Sequence, residues 1–272
     1  MVMERQLDQF GKLGDQLSFY VKALLWIPRA SRRYIREIVR LLSEVSFGTG
    51  ALAVIGGTIG VMVGMSVFTG TVVGLQGFSA LNQVGTSAFA GFLSAYFNTR
   101  EIAPLVAGLA LSATVGAGFT AQLGAMRISE EIDALETMGV PSLPYLVTCR
   151  VIAGFIAIIP LYVIGLLTSY LAARTITVEF YEQSAGTYDH YFTLFLPPED
   201  VIWSFVKVII FSVAVILAHC YYGYRDVYKR QPAGVGMAVG RAVRWSIVAI
   251  SILDFFLSLA IWGTETTVRI AG

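Results

Sequence analysis

The chain has 272 residues, of which 56% are hydrophobic and 14% charged, with 27 glycines and a formal net charge of +1 at pH 7. A mean hydropathy of +0.70 marks a protein whose solvent is a bilayer, and a near-neutral balance with no basic tail leaves no case for nucleic acid as a partner. Cys149 and Cys220 lie far apart, in or beside apolar runs, and read as small buried hydrophobes in preference to a disulfide.

Residues 1–46 begin polar and mixed in charge, without the pattern of a signal peptide. Further on, Leu17, Phe19, Leu24, Leu25, Trp26, Ile35, Ile38 and Val39 are interleaved with arginines, and Pro28 interrupts the run. This predicts amphipathic helices lying in the membrane interface with basic side chains toward head groups. The alternative is a cytoplasmic helical hairpin packed on the spans.

Residues 47–272 read as one membrane domain. Five mainly apolar runs, at 48–75, 102–126, 145–173, 201–224 and 246–263, are long enough to cross a hydrocarbon core about 30 Å thick. Lipid offers backbone groups no partners, so the runs must be helices. The expected fold is therefore an all-α integral membrane protein: an N-terminal interfacial helix, five transmembrane helices, and a short cytoplasmic helix between the second and third.

In the first span Gly56, Gly60 and Gly64 recur every four residues, followed by Gly70 and Gly74. Such a stripe lets another helix approach closely. The stretch from Ala88 to Phe97, with Phe89, Phe92, Leu93, Tyr96 and Phe97, is too short to cross and reads as a surface or re-entrant helix on the external side. After the second span comes "SEEIDALETMGV", residues 129–140, four carboxylates in an oily chain. Ser129 suits an N-cap, Glu130 and Glu131 a first turn favoured by the macrodipole, and Gly139 with Pro141 a stop, which predicts a helix over about 130–138. A helix so short is marginal in water by itself.

Lys and Arg set the orientation. Arg29, Arg32, Arg33, Arg36 and Arg40 precede the first span. Arg127 and Arg150 flank the link between the second and third, and Arg225, Lys229, Arg230, Arg241 and Arg244 lie between the fourth and fifth. All three segments read as cytoplasmic. Residues 175–200 hold Glu179, Glu182, Asp189, Glu199 and Asp200 without a Lys or Arg and read as external, an aromatic-rich loop that anchors to head groups or docks a partner. The N-terminus is then cytoplasmic and the C-terminus external.

Several chemistries lack their residues. No G-x-x-x-x-G-K-[ST] loop cradles a phosphate, no G-x-S-x-G elbow presents a nucleophile, and His190 and His219 stand apart from other ligand types, so no metal site or catalytic residue is assigned. Asp254 sits near the middle of the fifth span, where a charge costs roughly 2.5 to 3.5 kcal/mol. It serves either ion coupling or a structural contact with a neighbouring helix. Lys207, about two turns inside the fourth span, is expected to snorkel outward.

The segment "REIAPLVAGLALSATVGAGFTAQLGAMRISEEIDALETMGVPSLPYLVTCRVIAG", residues 100–154, together with "PAGVGMAVGRAVRWSIVAISILDFFLS", residues 232–258, resembles the MlaE/YrbE family of ABC-type lipid-transport permeases. In detail it looks most like the second of the paired YrbE permeases that accompany Mce proteins in actinobacteria. The resemblance implies that the acidic segment is a coupling helix docking in a separate cytoplasmic ATPase dimer, through Glu130, Glu131, Asp133, Ala134, Leu135 and Met138. ATP and Mg²⁺ then belong to that partner, and this chain needs no cofactor. It further implies a bacterial inner-membrane location, a dimer of permeases, external Mce-domain proteins, and a lipid cavity or dimer seam faced by Gly56, Gly60, Gly64, Phe255, Phe256 and Leu259.

Two departures favour a heterodimer. The family commonly has an Arg in the second span and a Glu six to eight residues later, where this chain has Thr114 and Gln122. "RDVYKRQ", residues 225–231, also departs from the family's small-residue loop, and no function is placed on it. The expected function is the permease subunit of an ATP-driven lipid importer working with Mce proteins. The alternatives are a gradient-driven carrier built on Asp254 and a scaffold anchoring external proteins.

Overall fold

The computed structural model describes residues 2–47, 57–225, 227 and 231–263. Gly56 and most of the basic loop at 226–230 lie outside the described residues. Among those described there are helices and no strands, and five helices are long and apolar enough to cross a membrane.

Three helices precede the spans: α1 (Val2–Leu25), α2 (Ile27–Arg33) and α3 (Ile35–Phe47). On α1, Gln16, Phe19 and Ala23 form a buried stripe at helical spacing, while Leu17, Val21 and Leu25 stay exposed. Phe19 packs its ring 5.5 Å from Tyr221 and 5.7 Å from Tyr224, and Thr148 Oγ1 donates to the Ala23 carbonyl at 2.9 Å. On α3, Ile38 and Leu41 bury against Cys149 and Ala153. Helices α1 and α3 thus each pack one face on the bundle and leave apolar side chains exposed on another, Leu17, Val21 and Leu25 on α1 and Ile35 and Val39 on α3.

The spans are α4 (Thr58–Gln83), α5 (Ser87–Ile128), α7 (Leu143–Phe180), α9 (Pro198–Arg225) and α10 (Pro232–Trp262), with two short helices between them, α6 (Glu131–Thr137) and α8 (Ala185–Leu194). The second span is the main correction to the sequence expectation. Ala88–Phe97 is not a separate surface helix but the first turns of α5, a helix of 42 residues. Asn98, Thr99 and Arg100, which looked like the polar end of a surface element, are buried. Each has a partner: Asn98 donates to Ser94, Thr99 bonds Tyr170, and Arg100 bonds Asp200. Burial of polar groups is tolerated where they are paired in this way, and Asn98 Oδ1 is a buried acceptor without a hydrogen bond among the described residues. Pro104 does not end α5, because the turn before it, Ser94–Ile102, is widened to π geometry.

The third span likewise runs past its expected end to Phe180, and α8 fills much of the loop after it. Arg174 holds α8 through two hydrogen bonds to Asp189, at 2.8 and 2.9 Å. The fifth span begins earlier than expected, at Pro232.

Helices α4 and α7 cross closely. A Cβ on Gly70 would run into the carbonyl oxygen of Ser169, and one on Gly74 would lie 2.9 Å from that of Ala173. The close approach therefore falls at Gly70 and Gly74, whereas Gly64 has no atom within 4 Å of a built Cβ. On α10, Ala238, Ala242, Ser246, Ile250 and Asp254 form a four-residue stripe that buries, and Phe255, Phe256 and Leu259 point away from the bundle.

Candidate functional site

Helix α6 is seven residues long and is held by its surroundings more than by its own propensity. Its entry differs from expectation. Ser129 closes α5, with its Oγ donating to Ala125 O and to the Glu131 carboxylate. Glu130, in the left-handed region at φ 60°, makes the turn into α6, a conformation that costs a non-glycine residue about 1 kcal/mol or more. The exit is as expected. Gly139 adopts φ +74°, its N–H reaches Glu136 O, and the Val140 N–H reaches back to Leu135 O at 3.0 Å, as in a Schellman cap.

Ile132 is the anchor, fully buried in the core of the bundle. Around it, Asp133 Oδ1 accepts from Arg127 Nη1 of α5 at 2.8 Å, and the Arg127 guanidinium lies 5.9 Å over the Tyr224 ring of α9. On the other side Ser142, at the start of the chain into α7, donates to Glu136 Oε1 at 2.5 Å and bonds Tyr224 Oη at 2.6 Å. The same short helix is therefore tied to the ends of α5, α7 and α9. Glu130, Glu131, Ala134 and Met138 face outward, with Met138 68% exposed, while Leu135 is half-buried against the core. An apolar side chain so exposed beside carboxylates is suited to a protein contact.

Toward the opposite ends of α5, α9 and α10 lies a second polar assembly. Lys207 is 0% exposed and does not snorkel. Its Nζ donates to Arg100 O at 2.6 Å, Ser258 Oγ at 2.9 Å and Glu101 Oε2 at 3.1 Å, and pairs with Asp254 Oδ1 at 2.7 Å. Ser258 Oγ in turn donates to Glu101 Oε1. Beside it, Arg100 pairs with Asp200 at 2.7 Å, Trp262 Nε1 donates to the same carboxylate at 2.9 Å, and the Tyr96 ring lies 4.2 Å from the guanidinium. Asp254 is thus one member of a network that joins three spans. Lys207 turns inward because so many acceptors lie there.

A third node centres on His219 of α9, with Nε2 3.0 Å from Ser112 Oγ and Nδ1 2.7 Å from Thr120 Oγ1. A Cβ on Gly116 would lie 2.6 Å from that ring, so glycine is what lets α5 reach it. Among the described residues no three His, Cys, Asp or Glu side chains are grouped to hold a metal ion.

The family described as Permease MlaE matches residues 47–260. The chain belongs to the MlaE permease family. Over 192 residues, 70% of this chain and 73% of the relative, it is 32% identical to a probable ABC transporter permease protein of Rickettsia bellii. It is 27% identical over 203 residues, 72% of this chain and 75% of the relative, to the intermembrane phospholipid transport system permease protein MlaE of Haemophilus influenzae. A chloroplast relative, TRIGALACTOSYLDIACYLGLYCEROL 1 of Arabidopsis thaliana, is 28% identical over 208 residues, 74% of this chain and 57% of that protein. Membership in the MlaE family makes this a multi-pass membrane permease and not an enzyme.

Thr114 and Gln122, expected from the sequence to depart from the family pattern, have partners inside the chain. Thr114 Oγ1 donates to Ala110 O at 2.7 Å, and Gln122 Oε1 accepts from Arg150 Nη2 at 3.1 Å. Arg150 is buried over the Phe119 ring. Gln122 therefore still meets a cation from α7 without an acid of its own. Sequence reasoning missed Arg100, Glu101, Asp200 and Trp262 as members of the network. The available signal was Lys207: a lysine inside a span needs acidic or carbonyl partners, and Arg100-Glu101 and Glu199-Asp200 stand at the edges of neighbouring spans.

Proposed function

We propose that this chain is the transmembrane subunit of an ATP-driven transporter that moves lipids across a bacterial inner membrane. Family membership and the similarity to an intermembrane phospholipid transport permease of Haemophilus influenzae support lipid as the cargo. The observation that carries the coupling is the seat of α6. It is anchored by Ile132, bonded to α5, α7 and α9 through Asp133, Glu136 and Ser142, and open to solvent at Glu130, Glu131, Ala134 and Met138.

In this reading an ATPase dimer holding ATP and Mg²⁺ docks on α6 from the cytoplasm, with the N-terminus on that side and the C-terminus external. Its closure shifts α6, and the Arg127, Tyr224 and Ser142 contacts pass the movement to three spans together. A second permease subunit related to this one lines the lipid path with it, Phe255, Phe256, Leu259 and the Gly60–Gly64 face turned to the seam or cavity. Mce-type proteins receive or deliver lipid outside, in the direction of import. The missing charges at Thr114 and Gln122 favour a heterodimer over a homodimer.

The test is purification of the assembled complex in mild detergent, with identification of its partners and ATPase and lipid-transfer assays on Asp133→Lys and Leu135→Asp. Copurification of an ATPase, with both variants losing transfer, is the expected result. Absence of an ATPase, or variants that hydrolyse ATP and transfer lipid as the parent does, overturns the reading. A stable, ATPase-coupled homodimer of this chain alone overturns the heterodimer.

A further inference from the structure

Between α1, α9 and α10 runs an open groove of about 630 Å³, within the size range of small-molecule sites. Its walls are Leu17, Val21 and Leu24 of α1, Val213 and Leu217 of α9, and Leu253 of α10. Val213 and Leu217 lie near the middle of the fourth span, so an apolar groove beside them faces hydrocarbon once that span crosses a bilayer. Two of the polar side chains on its rim are bonded to each other, Gln16 Nε2 donating to Tyr20 Oη, and Trp245 completes the lining. Burial raises the pKa of Tyr20, which keeps the phenol neutral. A trough lined mainly by Leu, Ile, Val and Ala suits a hydrocarbon chain.

Charge at one end identifies which lipid. The Arg225 guanidinium lies 5.9 Å over the Phe19 ring, one residue from Tyr20. Lys22, between the groove residues Val21 and Leu24, is exposed, and so are Arg29, Arg32 and Arg33 on the helix that follows. Basic side chains beside an apolar trough at a span's end are complementary to a phosphate-bearing anionic head group.

We infer that the groove holds one acyl chain of an anionic phospholipid from the leaflet on the α6 side, with Arg225 and Lys22 at its head group. The lipid fills the space between α1 and the two spans and so fastens the N-terminal helix to them. This site is independent of ATP coupling, and its failure would leave the transport reading intact.

The test uses the full-length chain in vesicles containing phosphatidylglycerol with a photoreactive group on one acyl chain, and matching vesicles with a phosphatidylethanolamine probe. The expected result is labelling concentrated on Leu17–Leu24 and Val213–Leu217, stronger with the anionic probe. Ala214→Trp, which fills the groove, should lower that labelling about tenfold, the effect of excluding roughly two methylenes. Leu171→Trp, on the exposed face of α7, should leave it unchanged, and Arg225→Gln should remove the preference for the anionic probe without needing a filled groove. Labelling spread equally over the outward faces of α7 and α10 overturns the site, since it marks bulk lipid contact only. Equal labelling by the two probes overturns the anionic head group.

Discussion

Lys207 Nζ donates to the carbonyl oxygen of Arg100 at 2.6 Å, the oxygen four residues before Pro104, which has no N–H to give it. A side chain from α9 thus reaches a backbone carbonyl of α5 beside that proline, and the same ammonium pairs with Asp254 and Glu101. Lys207→Met removes that donor and leaves the largely buried Asp254 carboxylate without its cation. The expected destabilisation is about 3 to 5 kcal/mol, as for breaking a buried pair from one side. Adding Asp254→Leu to Lys207→Met should recover part of it. Thermal unfolding in detergent checks both, and a double variant no more stable than the single one would show that the pair is not coupled.

The glycines of α4 separate into two groups by what they face. Gly70→Ala places a methyl against the Ser169 carbonyl, backbone that cannot swing aside, and overpacking of this kind costs about 1 to 3 kcal/mol. Gly64→Ala meets nothing within 4 Å and should leave the isolated subunit as stable, or up to about 1 kcal/mol more so from helix propensity. If the Gly64 face is the subunit seam, Gly64→Leu dissociates the permease pair while Gly70 variants unfold it. Size-exclusion chromatography beside thermal melts distinguishes the two results.

The spans, the short helix α6 and its glycine stop were legible because each rests on a local signal: length of apolar run, or a positive-φ glycine followed by proline. The start of α5 was not. Asn98, Thr99, Arg100 and Glu101 look like the polar edge of a membrane element, and only contacts from residues 70 to 160 positions away, such as Tyr170, Asp200, Lys207 and Ser258, make their burial tolerable. For the same reason the acidic segment was legible as a short helix, but not that Ile132 faces inward or that Asp133 pairs with Arg127. Helical spacing gives a face, and only packing says which way that face turns.

Asp189 offers a pH test outside the spans. Its hydrogen bonds from Arg174 hold the carboxyl below its ordinary value, which is near 3.9. A folded-state pKa below the unfolded one means that the contribution is fully present above about pH 4 and is lost as pH falls through the folded value. Both side chains are substantially exposed, so the effect is at most about 1 kcal/mol and weakens with salt. Asp189→Asn should lower thermal stability slightly at pH 7, with the gap to the parent closing in acid as the carboxyl becomes protonated in the folded state. A gap that persists in acid would show that another contact fastens α8.

The two apolar ends of α6 should respond oppositely to the same change. Ile132 is buried among α5, α7 and α9, so Ile132→Asp puts an unpaired carboxylate in the core, a class of substitution at the severe end of about 4 kcal/mol or more. Met138→Asp changes an exposed side chain, 68% accessible, and should alter stability by no more than about 0.5 kcal/mol. If α6 is the ATPase dock, Met138→Asp nevertheless lowers ATPase copurification and lipid transfer, because it charges the apolar part of the contact surface. Melting curves and pull-down of the ATPase on the two variants give the answer. Loss of stability without loss of partner at Ile132, or neither at Met138, would move the dock away from this helix.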